Sequence, residues 1–157
     1  MIPGAQEGDE IRSTQTNRNH GLYLADVLIK RRDKIGTAYL PKINPIVNPA
    51  LDGGGVLTFG NAAVQAGCAK APASYKATWY TFDNATGEAA RVSDTESPTE
   101  RMQAPAALRA TPGAFVKVQV SAISTEQPSW ATPVDVYFRR QANRWTVVGF
   151  ERLPDGR

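Results

Sequence analysis

The stretch FVKVQVSAI, residues 115–123, decides the fold class because its apolar and polar residues strictly alternate. The residues on one side are Val116, Val118, Val120 and Ala122, and those on the other are Lys117, Gln119 and Ser121. Successive side chains of a strand point to opposite faces, so this pattern predicts a strand with one buried face. One buried and one wetted face is typical of an antiparallel sheet.

Further strands flank this one on both sides. Upstream, residues 75–82 are rich in aromatic and β-branched residues, and the turn at 83–87 returns the chain along residues 88–92. Downstream, residues 134–140 and 145–151 form a second hairpin around residues 141–144. The sequence therefore predicts about five antiparallel strands.

A helix precedes the strands. Leu24, Leu28 and Ile35 recur at helical spacing within residues 20–36, Asn19 can cap the first turn, and Gly36 can end the last. Strands and helices do not alternate, so we predict the α+β class, with this helix packed on a curved antiparallel sheet. The alternative is a β-sandwich with an appended helix. We expect one domain over 20–157, preceded by an extended polar arm or linker over 1–19.

Proline shapes two further segments. Pro41, Pro45 and Pro49 are spaced by four, and each of the last two follows an asparagine, so residues 41–55 are interpreted as a rigid connector along the surface. Residues 94–112 are interpreted as a long loop. Residues 56–59 favour a short strand, and residues 61–67 a short helix capped by Asn61.

Composition excludes several classes of protein. The chain has 157 residues, 41% of them hydrophobic, and these suffice to form one core. Its apolar runs are far shorter than the roughly 18 residues of a transmembrane helix, so no such span is expected. A net charge of +3 is small for a nucleic-acid-binding domain, so nucleic acid is not expected as a partner. The residue usage favours a bacterial protein in the periplasm or outside the cell.

Histidine and cysteine are too scarce for most catalytic chemistry. His20 and Cys68 are single, so no metal site and no cofactor is expected, and a nucleophile–base pair would have to use His20. Whether the protein is an enzyme stays uncertain, and the sequence favours a non-enzyme. Asp135 and Glu151 are expected to pair with arginines across the sheet.

Two sets of residues are candidates for binding. An aromatic set could line a pocket, and a basic set could contact an anionic partner. The aromatic set is Trp79, Tyr80, Trp130, Tyr137 and Trp145. The basic set is Lys30, Arg31, Arg32, Lys34, Arg139 and Arg140.

The closing hairpin carries one resemblance. Residues 134–140 and 144–151 are similar to the terminal hairpin of cone-shaped, cystatin-like folds of the nuclear-transport-factor type. The resemblance implies several helices before the sheet, and it transfers no functional residue to this chain.

Three functional hypotheses follow. The first is a non-enzymatic accessory, ligand-binding or assembly module of a bacterial extracytoplasmic or multi-subunit system, with another protein or subunit as its partner. The second is a small-molecule enzyme or binder of the cone type. The third is a peripheral binder of anions or membrane surfaces.

Overall fold

The computed structural model describes residues 5–108 and 111–152, and side chains from residue 18 onward. Its contacts divide the chain into two compact units, Met1–Gly36 and Thr37–Arg157. The elements confirm the α+β class, with helix at the N-terminus and antiparallel strands after it.

Helix α1 runs from Ala5 to Tyr39. It includes residues 5–19, which the sequence analysis expected as an extended arm; residues 1–4 lie outside the described part. No proline stands between Pro3 and Pro41, so nothing removes a helical hydrogen bond over that distance. Pro41 lies in the 3-10 turn Leu40–Lys42 that follows α1.

The larger sheet has five antiparallel strands, as predicted, in the order β4-β3-β6-β7-β8. Its strands are β3 (Ser74–Phe82), β4 (Ala89–Ser97), β6 (Phe115–Ile123), β7 (Val134–Gln141) and β8 (Arg144–Arg152). In β6 the alternation is confirmed, because Val116, Val118 and Val120 are buried and Lys117 and Gln119 occupy the other face.

A second sheet corrects the interpretation of the two proline-containing segments. Strand β1 (Ile46–Leu51) pairs with β2 (Val56–Asn61), and β2 pairs with β5 (Arg101–Gln103). Residues 41–55 therefore include a strand and its turn, and residues 94–112 include the end of β4 and all of β5. Proline is tolerated where the β1–β2 register shifts, between Val47 and Ala50. Asn48 adopts φ 50° there, a left-handed conformation that asparagine tolerates better than most residues.

One hydrophobic core serves both sheets. Ile46 and Leu57 of the small sheet are completely buried in the same cluster as Trp79, Val118 and Phe138 of the large sheet. Helix α2 (Ala62–Gln65) follows β2 directly, and Asn61 caps it as predicted, accepting bonds from the amides of Ala63 and Val64.

Buried Asn44 joins three parts of this unit. Its side-chain nitrogen donates to the carbonyl oxygens of Val120 at 3.0 Å and Thr132 at 2.9 Å, and lies 3.4 Å from that of Trp130. Its side-chain oxygen accepts from the amide of Ile46 at 3.1 Å. A buried amide is tolerated only when so satisfied, and here it fixes the entry of β1 against β6 and the 3-10 turn Pro128–Ala131.

Candidate functional site

The face of the large sheet that points away from the core carries an ordered array of aromatic and polar side chains. Residues of β3, β6 and β7 lie side by side in three rows, because the strands pair without a shift at these positions. The rows are Tyr80–Lys117–Tyr137, Thr78–Gln119–Asp135 and Phe82–Phe115–Arg139. We call these nine residues the outer face.

Lys117 and Asp135 form the centre of the outer face. The amine of Lys117 lies 2.7 Å from Oδ2 of Asp135, and the two side chains are only 18% and 5% exposed. The same amine lies 5.8 Å from the ring centroid of Tyr80 and 5.6 Å from that of Tyr137, so a cation sits between two aromatic faces.

The second oxygen of Asp135 is also occupied. Gln119 Nε2 donates to Oδ1 of Asp135 at 2.9 Å, and the Tyr80 hydroxyl donates to Oε1 of Gln119 at 2.8 Å. The partner of Asp135 is therefore a lysine on the next strand, and not one of the arginines that the sequence suggested. Burial lowers the pKa of Lys117, but the hydrogen bond and charge of Asp135 outweigh this, and the pKa is raised. Lys117 stays a cation, and its charge is paired with that of Asp135.

A second group of charges lies beside the outer face, towards β4. Oδ2 of Asp94 lies 2.6 Å from a guanidinium nitrogen of Arg91 and 3.0 Å from the amine of Lys76. Arg91 first, and then Lys76, hold the pKa of Asp94 well below its usual range. This carboxylate therefore stays ionised and tied to two cations.

A small cavity lies on the other side of the sheet, where the glycine turn after β1 meets β7 and β8. It encloses about 180 Å³. Its wall includes Gly53–Gly55, Arg140 and Trp145, and Gln103 and several apolar side chains complete it. The guanidinium carbon of Arg140 lies 5.3 Å from the Trp145 ring centroid, and its Nη1 donates a long bond of 3.4 Å to the carbonyl oxygen of Gly53.

The structure separates the five aromatic residues that the sequence proposed as one pocket. Trp79 and Trp130 are completely buried, and their indoles donate to Thr95 Oγ1 and to the Pro41 carbonyl oxygen. Tyr80 and Tyr137 flank Lys117 on the outer face, and Trp145 borders the cavity. Whether any of them contacts a ligand stays a prediction.

The basic residues are also distributed. Lys30 lies 2.9 Å from Asp26, and Arg32 lies 2.8 Å from Asp33, in exposed pairs on α1. Arg139 lies over the Phe115 ring at 5.7 Å, whereas its neighbour Arg140 faces the cavity on the opposite side of the sheet. Binding of an anionic partner by these residues stays a prediction.

Helix α1 exposes an apolar face. Tyr23, Leu24, Val27, Leu28 and Ile35 share one side of the helix, because the 3.6-residue repeat places all five within an arc of about 140°. Their exposed fractions are 71%, 59%, 41%, 55% and 51%. Leu22 is 66% exposed but lies nearly opposite the middle of this group, by the 3.6-residue repeat. We call these five side chains the apolar face of α1.

Metal ligands do not converge in the described part of the chain, where no three His, Cys, Asp or Glu side chains lie close enough together to hold an ion. Cys68 is a free thiol, 3.7 Å from the Thr37 hydroxyl. Among the described helices, none combines the length and the apolar content needed to cross a membrane.

The sequence analysis missed the central residues of the outer face and the contact that forms the cavity. Lys117 and Gln119 were placed on the polar side of β6, but only the pairing of β6 with β7 brings them to Asp135. Residues 41–55 were interpreted as a connector, and the contact of the glycine turn at its end with the β7–β8 hairpin has no local sequence signal.

Comparison of the chain with protein-family models, with curated proteins and with solved structures gives no match.

Proposed function

We propose that this protein is a non-enzymatic assembly module whose helix α1 binds an acidic, amphipathic helix of a different protein. The exposed apolar face of α1 carries the proposal, because large apolar side chains that lie together on a surface mark interaction sites. A helix–helix contact would remove Tyr23, Leu24, Val27, Leu28 and Ile35 from water, at roughly 25 cal/mol for each Å² of apolar surface buried.

The charges on α1 select the kind of partner. Between residues 26 and 34 the helix has four cations and two carboxylates, a net charge of +2. Arg31 lies on the apolar face itself, three residues after Leu28 and four before Ile35. Neither Arg31 nor Lys34 forms an ion pair within the described part of the chain. A partner helix with carboxylates beside its apolar residues would neutralise both.

A second copy of the chain fits this face less well. Two copies of α1 packed through the same face would bring two sets of uncompensated cations together, and like charges across an interface cost several kcal/mol. A membrane surface also fits less well. The side of α1 opposite the apolar face carries Asp26 and Asp33 together with Leu22 and Ile29, whereas helices that lie on membranes keep that side strongly cationic.

The amino-acid composition supports a cellular location for the proposed assembly. Lysine is scarce, and the usage of threonine, asparagine, glutamine and proline resembles that of exported bacterial proteins. We therefore place the assembly in a bacterial extracytoplasmic or multi-subunit system. Detection of the native protein only in the cytosolic fraction would contradict the extracytoplasmic part.

Two synthetic helical peptides of about three heptads test the partner chemistry. Both carry leucine at the a and d positions; one carries glutamate and the other lysine at the flanking e and g positions. We expect the full chain to bind the glutamate peptide at least about tenfold more tightly than the lysine peptide. The difference should shrink as salt rises, because the charges are exposed. Fluorescence anisotropy of labelled peptide measures both affinities.

Leu28→Asp and Leu22→Asp form a matched pair of variants. Both replace an exposed leucine of α1, but only Leu28 belongs to the apolar face. Leu28→Asp should abolish binding of the glutamate peptide, and Leu22→Asp should leave it within about twofold. Equal loss in both variants, or equal affinity for the two peptides, would overturn the proposal.

Two further measurements separate the other occupants. Sedimentation equilibrium of the chain alone reports a second copy, and flotation with phosphatidylserine vesicles reports a membrane. If the chain self-associates and Leu28→Asp abolishes this, a second copy replaces the proposed partner. If the chain binds vesicles but not the glutamate peptide, and Leu28→Asp abolishes vesicle binding, a membrane replaces it. A monomer that ignores vesicles and binds the glutamate peptide supports it.

A further inference from the structure

We infer that the cavity at the glycine turn is a binding site for a small organic carboxylate, with Arg140 as the group that holds the carboxylate and Trp145 as an aromatic wall. This inference is independent of the helix surface and of the function proposed for it. It rests on the charge, the hydrogen bonding and the size of the cavity.

Among the described residues that line the cavity, Arg140 is the single one with a formal charge. None of the described residues that line the cavity is an aspartate or a glutamate. Nε of Arg140 is buried and has no hydrogen-bond partner, and Nη1 makes only the 3.4 Å bond to Gly53. A buried polar atom without a partner costs free energy, so the guanidinium is better satisfied with an anion beside it. Its planar fork suits a carboxylate, which can accept two parallel bonds.

Trp145 holds the guanidinium in place. The 5.3 Å separation between its ring centroid and the guanidinium carbon is typical of a cation over an aromatic face. Stacking fixes the plane of the guanidinium and leaves its edge available for hydrogen bonds. Arg140 therefore loses little conformational freedom when an anion binds.

The rest of the wall limits the ligand to a short, mostly apolar molecule. Leu51, Pro105 and Leu108 contribute apolar surface, and the Gln103 amide is occupied by the carbonyl oxygens of Gly54 and Gly55 at 3.0 and 3.2 Å. The 180 Å³ equals the volume of about six liquid waters, enough for a few carbon atoms beyond the carboxylate. The same chemistry occurs in a free short-chain acid and in the C-terminal carboxylate of a peptide.

Titration with phenylacetate and hexanoate, followed through the Trp145 indole resonance in nuclear magnetic resonance, tests the site. We expect saturable shifts at millimolar or lower concentration, and none with phenylacetamide, which has the same shape without the charge. A dipeptide such as Ala-Phe, with a free or an amidated C-terminus, distinguishes the two sources. Tighter binding of the free dipeptide than of the acids assigns the site to peptide ends, and the reverse assigns it to free acids.

Arg140→Met and Arg139→Met are matched variants, because neighbouring arginines of β7 lie on opposite faces of the sheet. Arg140→Met should weaken carboxylate binding by about tenfold or more, since a charge-assisted hydrogen bond is lost. Arg139→Met should change it by less than about twofold. Ala106→Leu adds bulk at an exposed position of the cavity wall and keeps Arg140, so it should also block binding without unfolding the core.

Three results would overturn the inference. They are equal binding of phenylacetate and phenylacetamide, equal affinity in Arg140→Met and Arg139→Met, and no shift of the Trp145 resonance up to about 50 mM acid, far above a millimolar dissociation constant.

Discussion

The amine of Lys117 lies 2.7 Å from Oδ2 of Asp135, and only 5% of the Asp135 side chain is exposed. Each charge compensates the other for the loss of water, so both groups stay ionised in this position. The rings of Tyr80 and Tyr137 flank the amine, so little water reaches the pair.

Asp135→Asn should therefore destabilise the protein by about 2–3 kcal/mol. It removes the negative partner and leaves a cation that is mostly buried, which costs more than loss of an exposed pair. Urea unfolding followed by circular dichroism measures the change. In the double variant Lys117→Met, Asp135→Asn the stranded charge is gone, and much of the loss should be recovered. A single-variant loss under about 0.5 kcal/mol, typical of an exposed pair, would contradict the structure.

Alkaline pH should weaken the same pair. The pKa of Lys117 is raised in the folded protein above its unfolded value of about 10.4, so the pair stabilises the fold fully below that value. Between the unfolded and the folded pKa, the folded state keeps a proton that the unfolded state has released, so stability falls as pH rises. The contribution of the pair is lost once pH has passed the folded pKa. Urea midpoints of the wild type and Lys117→Met, measured from about pH 9 to 12, should converge with rising pH. If the two urea midpoints instead stay equally far apart at every pH, Asp135 does not raise the pKa of Lys117.

Gly53→Ala should destabilise the protein, and Gly54→Ala should not. A Cβ on Gly53 would lie 2.2 Å from the carbonyl oxygen of Asn143, so the turn or the β7–β8 hairpin must move. A Cβ on Gly54 meets its nearest atom, Asp52 Oδ1, at an ordinary 3.4 Å. We expect a loss of about 1–3 kcal/mol for the first variant and under about 0.5 kcal/mol for the second. Equal midpoints in thermal unfolding would place the glycine turn away from Asn143.

Asn44→Ala should be among the most damaging single substitutions of a polar residue. It leaves the carbonyl oxygens of Val120 and Thr132 without this donor inside the core, at a cost of about 2–4 kcal/mol. Asn84→Ala, at an exposed position of the β3–β4 turn, is the control and should cost less than about 0.5 kcal/mol. Chemical denaturation compares the two, and similar losses would show that the Asn44 bonds contribute little.

Sequence pattern predicted the large sheet because local and global signals agree there. The alternation in residues 115–123 is the pattern of a strand with one face on the core, and Val116, Val118 and Val120 are buried accordingly. Strand β1 was missed because Pro45 and Pro49 argue locally against a strand. Pro45 precedes the strand, and the register shift between Val47 and Ala50 accommodates Pro49, as only the pairing with β2 shows.

The candidate sites depended on contacts that sequence does not encode locally. Arg140 and Trp145 were assigned to separate hypotheses, and β7–β8 pairing places them opposite each other. Arg139 and Arg140 were treated as one cluster, although the two-residue period of a strand sends neighbours to opposite faces. That separation could have been predicted once residues 134–140 were interpreted as a strand.

The bond from Arg152 to Ile46 has a consequence for the newly made chain. A guanidinium nitrogen of Arg152, in the last strand, donates to the carbonyl oxygen of Ile46, in the first, at 2.6 Å across 106 positions. A ribosome that has delivered only the first seven strands leaves that oxygen and the exposed edge of β7 without their partners. We therefore expect the strand region to acquire its final order only after residue 152 emerges, so that a nascent polypeptide stalled earlier remains open to proteases and chaperones.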